Sequence, residues 1–181
     1  MRWIWVDKFE TFEPGVSLTA LKNVSLAEEH LFDHFPDFPT MPASLMIEGM
    51  AQTAGMLVGE TRGFKEKVIL AKINRATFER IVQPGETVVY RARIASVNEG
   101  GASIEGTVAT RKYVGGVQTE FAVGHIDMLF SHIDQNMAGL KFPEENFVFN
   151  PAFMSLFDGY CRELDIMVPS RKAHHAKHEK V

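Results

Sequence analysis

The sequence predicts an α+β fold, and three observations carry that reading. Segments of strand length, rich in β-branched and aromatic residues, stand on both sides of one long apolar segment of helical composition, and the glycine-rich turns after that segment join strand directly to strand. One buried helix followed by a long antiparallel meander differs from the strict strand-helix alternation of parallel-sheet proteins.

The elements follow in order. Trp3 to Phe12 and Ser17 to Val24 read as strands of a hairpin around the Glu13-Pro14-Gly15 turn. A helix is predicted from about Pro42 to Gly59, because proline suits the first helical turn and good helix formers follow it. Leu45, Met46, Ile47, Met50, Ala51, Ala54, Met56, Leu57 and Val58 leave it almost no solvated face, so it is expected to be the central helix of the domain. Val68 to Ile73, Thr87 to Val97, Ala102 to Lys112 and Val117 to Phe130 alternate as half-buried strands, with turns at Glu99-Gly100-Gly101 and Gly115-Gly116. Val88, Tyr90, Ala92 and Ile94 share one face, as do Ala102, Ile104, Gly106 and Val108.

The expected organisation is one domain over 1–136 and an extension over 137–181. In the extension, Asn150 is a good N-cap with Pro151 at the first helical position, and Phe153, Leu156, Phe157, Tyr160 and Leu164 fall on one stripe of a helix over about 151–164. That helix either covers apolar surface of its own subunit or shapes a cavity or subunit contact. The final SRKAHHAKHEKV is basic and polar and is expected to be frayed. His174, His175 and His178 lack a carboxylate or cysteine at ligand spacing, so no metal site is expected there.

Bulk properties narrow the function classes. A chain of 181 residues with 45% hydrophobic and 23% charged residues is sized for one core rather than several domains. The formal net charge of -4, with no basic stripe interleaved with aromatics, argues against nucleic-acid binding. A single cysteine, Cys161, excludes an intrachain disulfide. The apolar opening, Met1 to Val6, is too short for an export signal, and no apolar run reaches transmembrane length, so a cytoplasmic protein is expected, with no membrane partner.

The chemistry concentrates between His34 and Gln52. Pro36, Pro39 and Pro42 fix three backbone φ angles, so the loop carrying His34 is expected to be stiff and able to aim a side chain. Ser44, Glu48 and Gln52 stand four apart and form one polar stripe on an otherwise apolar helix. A carboxyl in that setting either meets a partner or is driven toward its protonated form, and a protonated carboxyl near neutral pH is a general acid. Singly, Glu48 reads as a structural hydrogen-bonding group and His34 as an ordinary loop histidine. Their joint occurrence with the proline spacing favours a base and an acid in one apolar environment.

These residues resemble a family. WVDKFETFEPG, LKNVSL and HFPDFPTMPASLMIEGMAQTAG, followed by ILAKINRATFERIVQPGETV, are similar in order and spacing to 3-hydroxyacyl-[acyl-carrier-protein] dehydratases of the FabZ and FabA type, closest to the FabZ type, over about Trp3 to Phe130. The resemblance implies a hotdog fold, an antiparallel sheet wrapped around one long central helix, here with a C-terminal helical extension. It also implies a homodimer with acyl tunnels between subunits, trimers of dimers being a further assembly. The family pairs the histidine of the His-Phe-Pro loop with a helix carboxylate across the dimer, which here means His34 and Glu48. Glutamate rather than aspartate at that helix position points to a plain dehydratase rather than the isomerising branch. Three positions depart from the family pattern: Ala43 replaces a glycine, Ser44 an apolar residue, and Asn74 a common aspartate. Alanine keeps the N–H but adds a methyl, and would be strained if the position required φ > 0.

The implied reaction eliminates water from a 3-hydroxyacyl thioester to give a trans-2-enoyl thioester. Neutral His34 would take the C2 proton, protonated Glu48 would protonate the leaving hydroxyl, and the Ala43 N–H at the helix N-terminus would bind the thioester oxygen. Gln52 either orients Glu48 or is a buried amide satisfied by backbone. No metal or redox cofactor is needed. The implied partner is acyl carrier protein carrying the 3-hydroxyacyl group, or acyl-CoA, with Arg62, Lys65, Lys67, Arg75 and Arg80 as a candidate basic patch. The alternatives are a hotdog acyl thioesterase, in which a helix carboxylate activates water, and a non-catalytic acyl-binding homologue.

Overall fold

The computed structural model of the protein describes residues 4–133, 143 and 145–166. Its elements are β1 (Lys8–Glu13), β2 (Ser17–Asn23), α1 (His30–Asp33), α2 (Ala43–Thr61), β3 (Lys67–Phe78), β4 (Thr87–Asn98), β5 (Gly101–Val114), β6 (Val117–Ile133) and α3 (Pro151–Glu163). The strands form one antiparallel sheet in the order β1-β2-β4-β5-β6-β3. α2 packs against β2, β3, β4, β5 and β6, so the sheet wraps its central helix, which is the hotdog arrangement.

The core follows from the period-two pattern. Val88, Tyr90 and Ala92 of β4 and Ala102, Ile104 and Val108 of β5 are all buried, together with Leu18, Ala20, Ile126 and Met128 from the flanking strands. Close approach of α2 to the sheet depends on two glycines. A Cβ on Gly49 would sit 2.3 Å from the Tyr90 ring, and one on Gly106 would sit 2.8 Å from the Met50 side chain. The β5–β6 turn places both Gly115 (φ 57°) and Gly116 (φ 82°) in the left-handed region, as a two-residue hairpin with primed turn geometry requires.

Several element boundaries differ from the sequence reading. Trp3 lies outside the described residues, and the first strand begins at Lys8, because residues 4–7 cross toward α2, where the Trp5 N–H donates to Gln52 Oε1 at 2.7 Å. Pro42 is the N-cap rather than a helical residue: its ψ of 136° is extended, and its carbonyl accepts from the N–H groups of Leu45 and Met46. At the other end α2 runs past Gly59 to Thr61. It stops in a Schellman closure, with the Gly63 N–H (φ 62°) bonded to Glu60 O and the Phe64 N–H to Gly59 O. β3 is longer than expected, since residues 70–77 are exposed on both faces and carry no burial alternation; pairing with β6 holds them in the ladder.

The extension helix α3 forms where expected. Asn150 caps it by accepting from the Phe153 N–H at 2.9 Å, and Phe153, Phe157, Tyr160 and Cys161 are buried. Phe157 meets the rings of Phe9, Phe12 and Phe64, and the Tyr160 hydroxyl donates to Val6 O at 2.9 Å. The helix therefore docks on β1 and the end of α2. The tail with its histidines at 174, 175 and 178 lies outside the described residues.

On the solvent side of the sheet, the Arg111 guanidinium of β5 binds Glu10 of β1 across two intervening strands. It also binds Glu120 of β6, which Arg91 of β4 contacts as well. The Arg111 hydrogen bond holds the Glu10 carboxyl below the usual carboxylate range, and the Arg91 hydrogen bond does the same for Glu120. A carboxyl whose pKa is lower folded than unfolded contributes stability above its unfolded value, about 4.3 for glutamate, and loses it as pH falls through the folded value. Acid titration of the melting temperature from neutrality to pH 3 should therefore fall more steeply for the parent than for a Glu10→Gln/Glu120→Gln variant. Parallel curves would show that the network contributes nothing to acid sensitivity.

Candidate active site

His34 leaves the short helix α1 and enters the proline-punctuated loop, whose stiffness has a visible cause. The Thr40 N–H donates to His34 O at 2.7 Å, the His34 Nδ1 lies 2.8 Å from Thr40 O, Phe35 and Phe38 exchange backbone bonds, and the Met41 N–H is anchored to Val82 O. A carbonyl only accepts, so neutral His34 carries its proton on Nδ1 and its lone pair on Nε2. The half-buried ring stacks on Phe35 at 4.3 Å between centroids. The loop thus fixes a histidine in the tautomer that can act as a base through Nε2.

The polar stripe of α2 runs from solvent into the core: Ser44 is exposed, Glu48 half-buried, and Gln52 buried. Gln52 uses both ends of its amide. Its Oε1 accepts from the Trp5 N–H, and its Nε2 donates to Glu48 Oε1 at 2.8 Å. The buried amide thus has a backbone partner at one end and the Glu48 carboxyl at the other. Glu48 meets a hydrogen-bonding partner in this way, and Oε2 has none among the described residues. The signal that sequence reasoning missed was Trp5, whose backbone fixes Gln52 and whose indole N–H reaches the Tyr90 hydroxyl at 3.4 Å.

Ala43 opens α2 in helical conformation, and the non-glycine residues with positive φ among those described are Phe64 and Asp165. The alanine is accordingly unstrained. Leu45 and Met46 already bond to Pro42 O, while the Ala43 and Ser44 N–H groups precede the intrahelical ladder at the positive end of the helix dipole.

A cavity of about 210 Å³ begins at Glu48 and Gln52 and continues over Gly55, Met56, Val68, Leu70, Phe130 and Phe149. The Glu48 carboxyl and the Gln52 amide stand at the head of a slot whose other lining residues are apolar. His34 is not among the residues lining it, so within one chain this cavity does not unite His34 with Glu48. The five basic residues do not form one patch either. Arg75 pairs with Asp127 at 3.1 Å and Arg80 with Glu86, whereas Arg62, Lys65 and Lys67 share a surface cavity with Glu66, Glu99 and His132. Asn74 is exposed on β3. Among the described residues no cluster of histidine, cysteine or carboxylate side chains could hold a metal ion, and no helix is long and apolar enough to cross a membrane.

Comparison with known proteins agrees with this architecture. A family model described as the FabA-like domain matches residues 4–119. The 3-hydroxyacyl-[acyl-carrier-protein] dehydratase FabZ of Rickettsia africae is 42% identical over 94 residues, 51% of this chain and 65% of that protein, so the chain spans just under two thirds of that relative. The protein of the same name from Neisseria meningitidis is 35% identical over 121 residues, 62% of this chain and 81% of its own length. Among solved structures, the dehydratase heterocomplex ApeI:P of Xenorhabdus doucetiae superposes with a TM-score of 0.53 at 15% identity, covering 73% of this chain and 84% of that one, a likeness of fold. By its sheet wrapped on one helix, its family match over most of the sheet and its similarity to these relatives, this chain belongs to the FabA-like family and has the hotdog fold.

Proposed function

We propose that this protein is a 3-hydroxyacyl-[acyl-carrier-protein] dehydratase that works as a homodimer, His34 of one subunit meeting Glu48 of the other. The observation that carries the reading is the Glu48 carboxyl, held by Gln52 at the head of an apolar cavity, which suits a polar reacting centre with an apolar tail. His34 Nε2 removes the C2 proton, Glu48 protonates the departing C3 hydroxyl, and the C2–C3 double bond forms as water leaves. The Ala43 N–H stabilises the charge that builds on the thioester oxygen. Passage of the captured proton from His34 back to Glu48 resets the pair.

Pairing across a dimer is supported by what one chain leaves uncovered. β3 is an edge strand of 12 residues, Leu70 and Ile73 on it are 37% and 40% exposed, and Leu129 of neighbouring β6 is 40% exposed. Such an edge is a template for a second copy related by a two-fold axis. The acyl group arrives on carrier protein or coenzyme A. A cytoplasmic location belongs to the same reading and is supported by the cysteine count, since a chain with Cys161 as its single cysteine forms no intrachain disulfide.

The test is a panel of 3-hydroxyacyl thioesters of graded length on both carriers, with ultraviolet detection of the α,β-unsaturated thioester and a parallel thiol assay. Enoyl product without thiol release is expected. Thiol release without enoyl product would make the protein a thioesterase, and neither product with any substrate would make it a non-catalytic acyl binder.

A further inference from the structure

The cavity that starts at Glu48 is walled in part by residues that belong to neither the sheet nor α2. Phe149 and Val148 line it, yet both lie beyond the FabA-like match that ends at residue 119, in the segment leading into α3. Phe149 is far from the carboxyl along the helix. Its ring lies against Gly59, where an added Cβ would sit 2.4 Å from the ring, and Gly59 is about 16 Å along the helix axis from Glu48 at 1.5 Å per residue.

The position of this wall is fixed by one side chain. Asn146 Nδ2 donates to Phe64 O and Glu66 O at 3.1 and 3.2 Å, and its Oδ1 accepts from the Val148 and Phe149 N–H groups, both at 3.0 Å. Both donors and both lone pairs of the amide are thereby used. Phe149 is further buttressed edge-on by Phe64 and by the tilted ring of Phe153 of α3. The segment is bolted to the α2–β3 connection rather than draped over it.

We propose that Val148 and Phe149 form the far wall of the acyl cavity and set the longest acyl chain this site accepts, which makes the extension a specificity element. The inference rests on the dehydratase reading and deepens it. An acyl tail growing from the reacting centre at Glu48 runs along Gly55 and Met56 until it meets the Phe149 ring. Each methylene that finds room in an apolar slot is worth roughly fourfold in kcat/KM, and one that meets the wall loses at least that factor.

The experiment compares kcat/KM across 3-hydroxyacyl thioesters of graded chain length for the parent, Phe149→Ala and Val148→Phe. Melting temperatures and thermal shifts with unreactive acyl thioethers of the same lengths are read in parallel. Phe149→Ala should raise the ratio of long-chain to short-chain kcat/KM at least about tenfold and move the tightest-binding thioether to greater length. Val148→Phe, which adds bulk at a half-buried position and keeps the proposal testable should Phe149→Ala unfold, should move both optima to shorter chains. A parent that dehydrates its substrates while both variants keep its length profile, with only the melting temperature lowered, would overturn the wall and leave the function standing. A parent inert on every length would overturn the dehydratase reading, and the inference with it.

Discussion

His34→Ala and Glu48→Gln should each reduce dehydration by about two to four orders of magnitude, the span associated with loss of one general acid or base, while the protein stays folded and oligomeric. Folding should survive for local reasons. Loss of the imidazole removes the bond to Thr40 O, but the Thr40 N–H still closes the loop on His34 O. Glutamine at 48 can still accept from Gln52 Nε2 through its amide oxygen, so the buried chain from Trp5 through Gln52 persists while the carboxyl is gone. The two variants also test the sharing of sites. A mixed dimer of the two chains contains one doubly impaired and one intact site if His34 and Glu48 meet between subunits. Random re-assortment should then restore about a quarter of parental activity. Near-parental turnover in either single variant would remove that residue from the chemistry, and no recovery in proven mixed dimers would place the pair within one chain.

The parts of this molecule that the sequence made legible are those in which local pattern and tertiary environment agree. β4 and β5 alternate because one face meets α2, so Val88, Tyr90, Ala92, Ile104 and Val108 could be assigned to the core from period alone. α3 could be read from Asn150 and its aromatic stripe because the cap is local and the stripe is buried. The exposed stretch of β3 gave no such signal, since neither of its faces is buried in one chain. The end of α2 was obscured by two glycines of different kinds: Gly59 is small because Phe149 and Phe64 press on it, and Gly63 is the one in the left-handed stop. The site divides in the same way. The polar stripe of Ser44, Glu48 and Gln52 was visible at helical spacing, whereas the anchor that gives Gln52 its direction is a backbone N–H 47 residues earlier, and no periodicity reports on that. Proline spacing and the polar stripe singled out His34 and Glu48 as a candidate base and acid, whereas the proposed part of the Ala43 N–H in the same reaction rests on family resemblance.

Phe157→Ala should be the most destabilising single change outside the site. Its ring is fully buried and contacts three others, Phe9 at 5.6 Å, Phe12 at 5.8 Å and Phe64 at 4.8 Å between centroids, joining β1, the end of α2 and α3 in one cluster. Removing a buried phenylalanine costs about 3–5 kcal/mol, from the lost transfer energy and the cavity left behind. For a chain of this size that corresponds to a fall of roughly 6–20 °C in melting temperature. Tyr160→Phe, which deletes only the hydroxyl that donates to Val6 O, should cost about 0.5–1.5 kcal/mol and rank well below it. Truncation after Asn136 should exceed both, because it uncovers Phe9, Phe12 and Phe64 together and leaves a contiguous apolar patch that promotes aggregation. Thermal denaturation of the three variants tests the order, and amide exchange across 151–163 tests its cause, since a docked α3 should be protected nearly as well as β4. Rapid exchange there, with a truncated protein as soluble and heat-stable as the parent, would show that α3 contributes nothing to the fold.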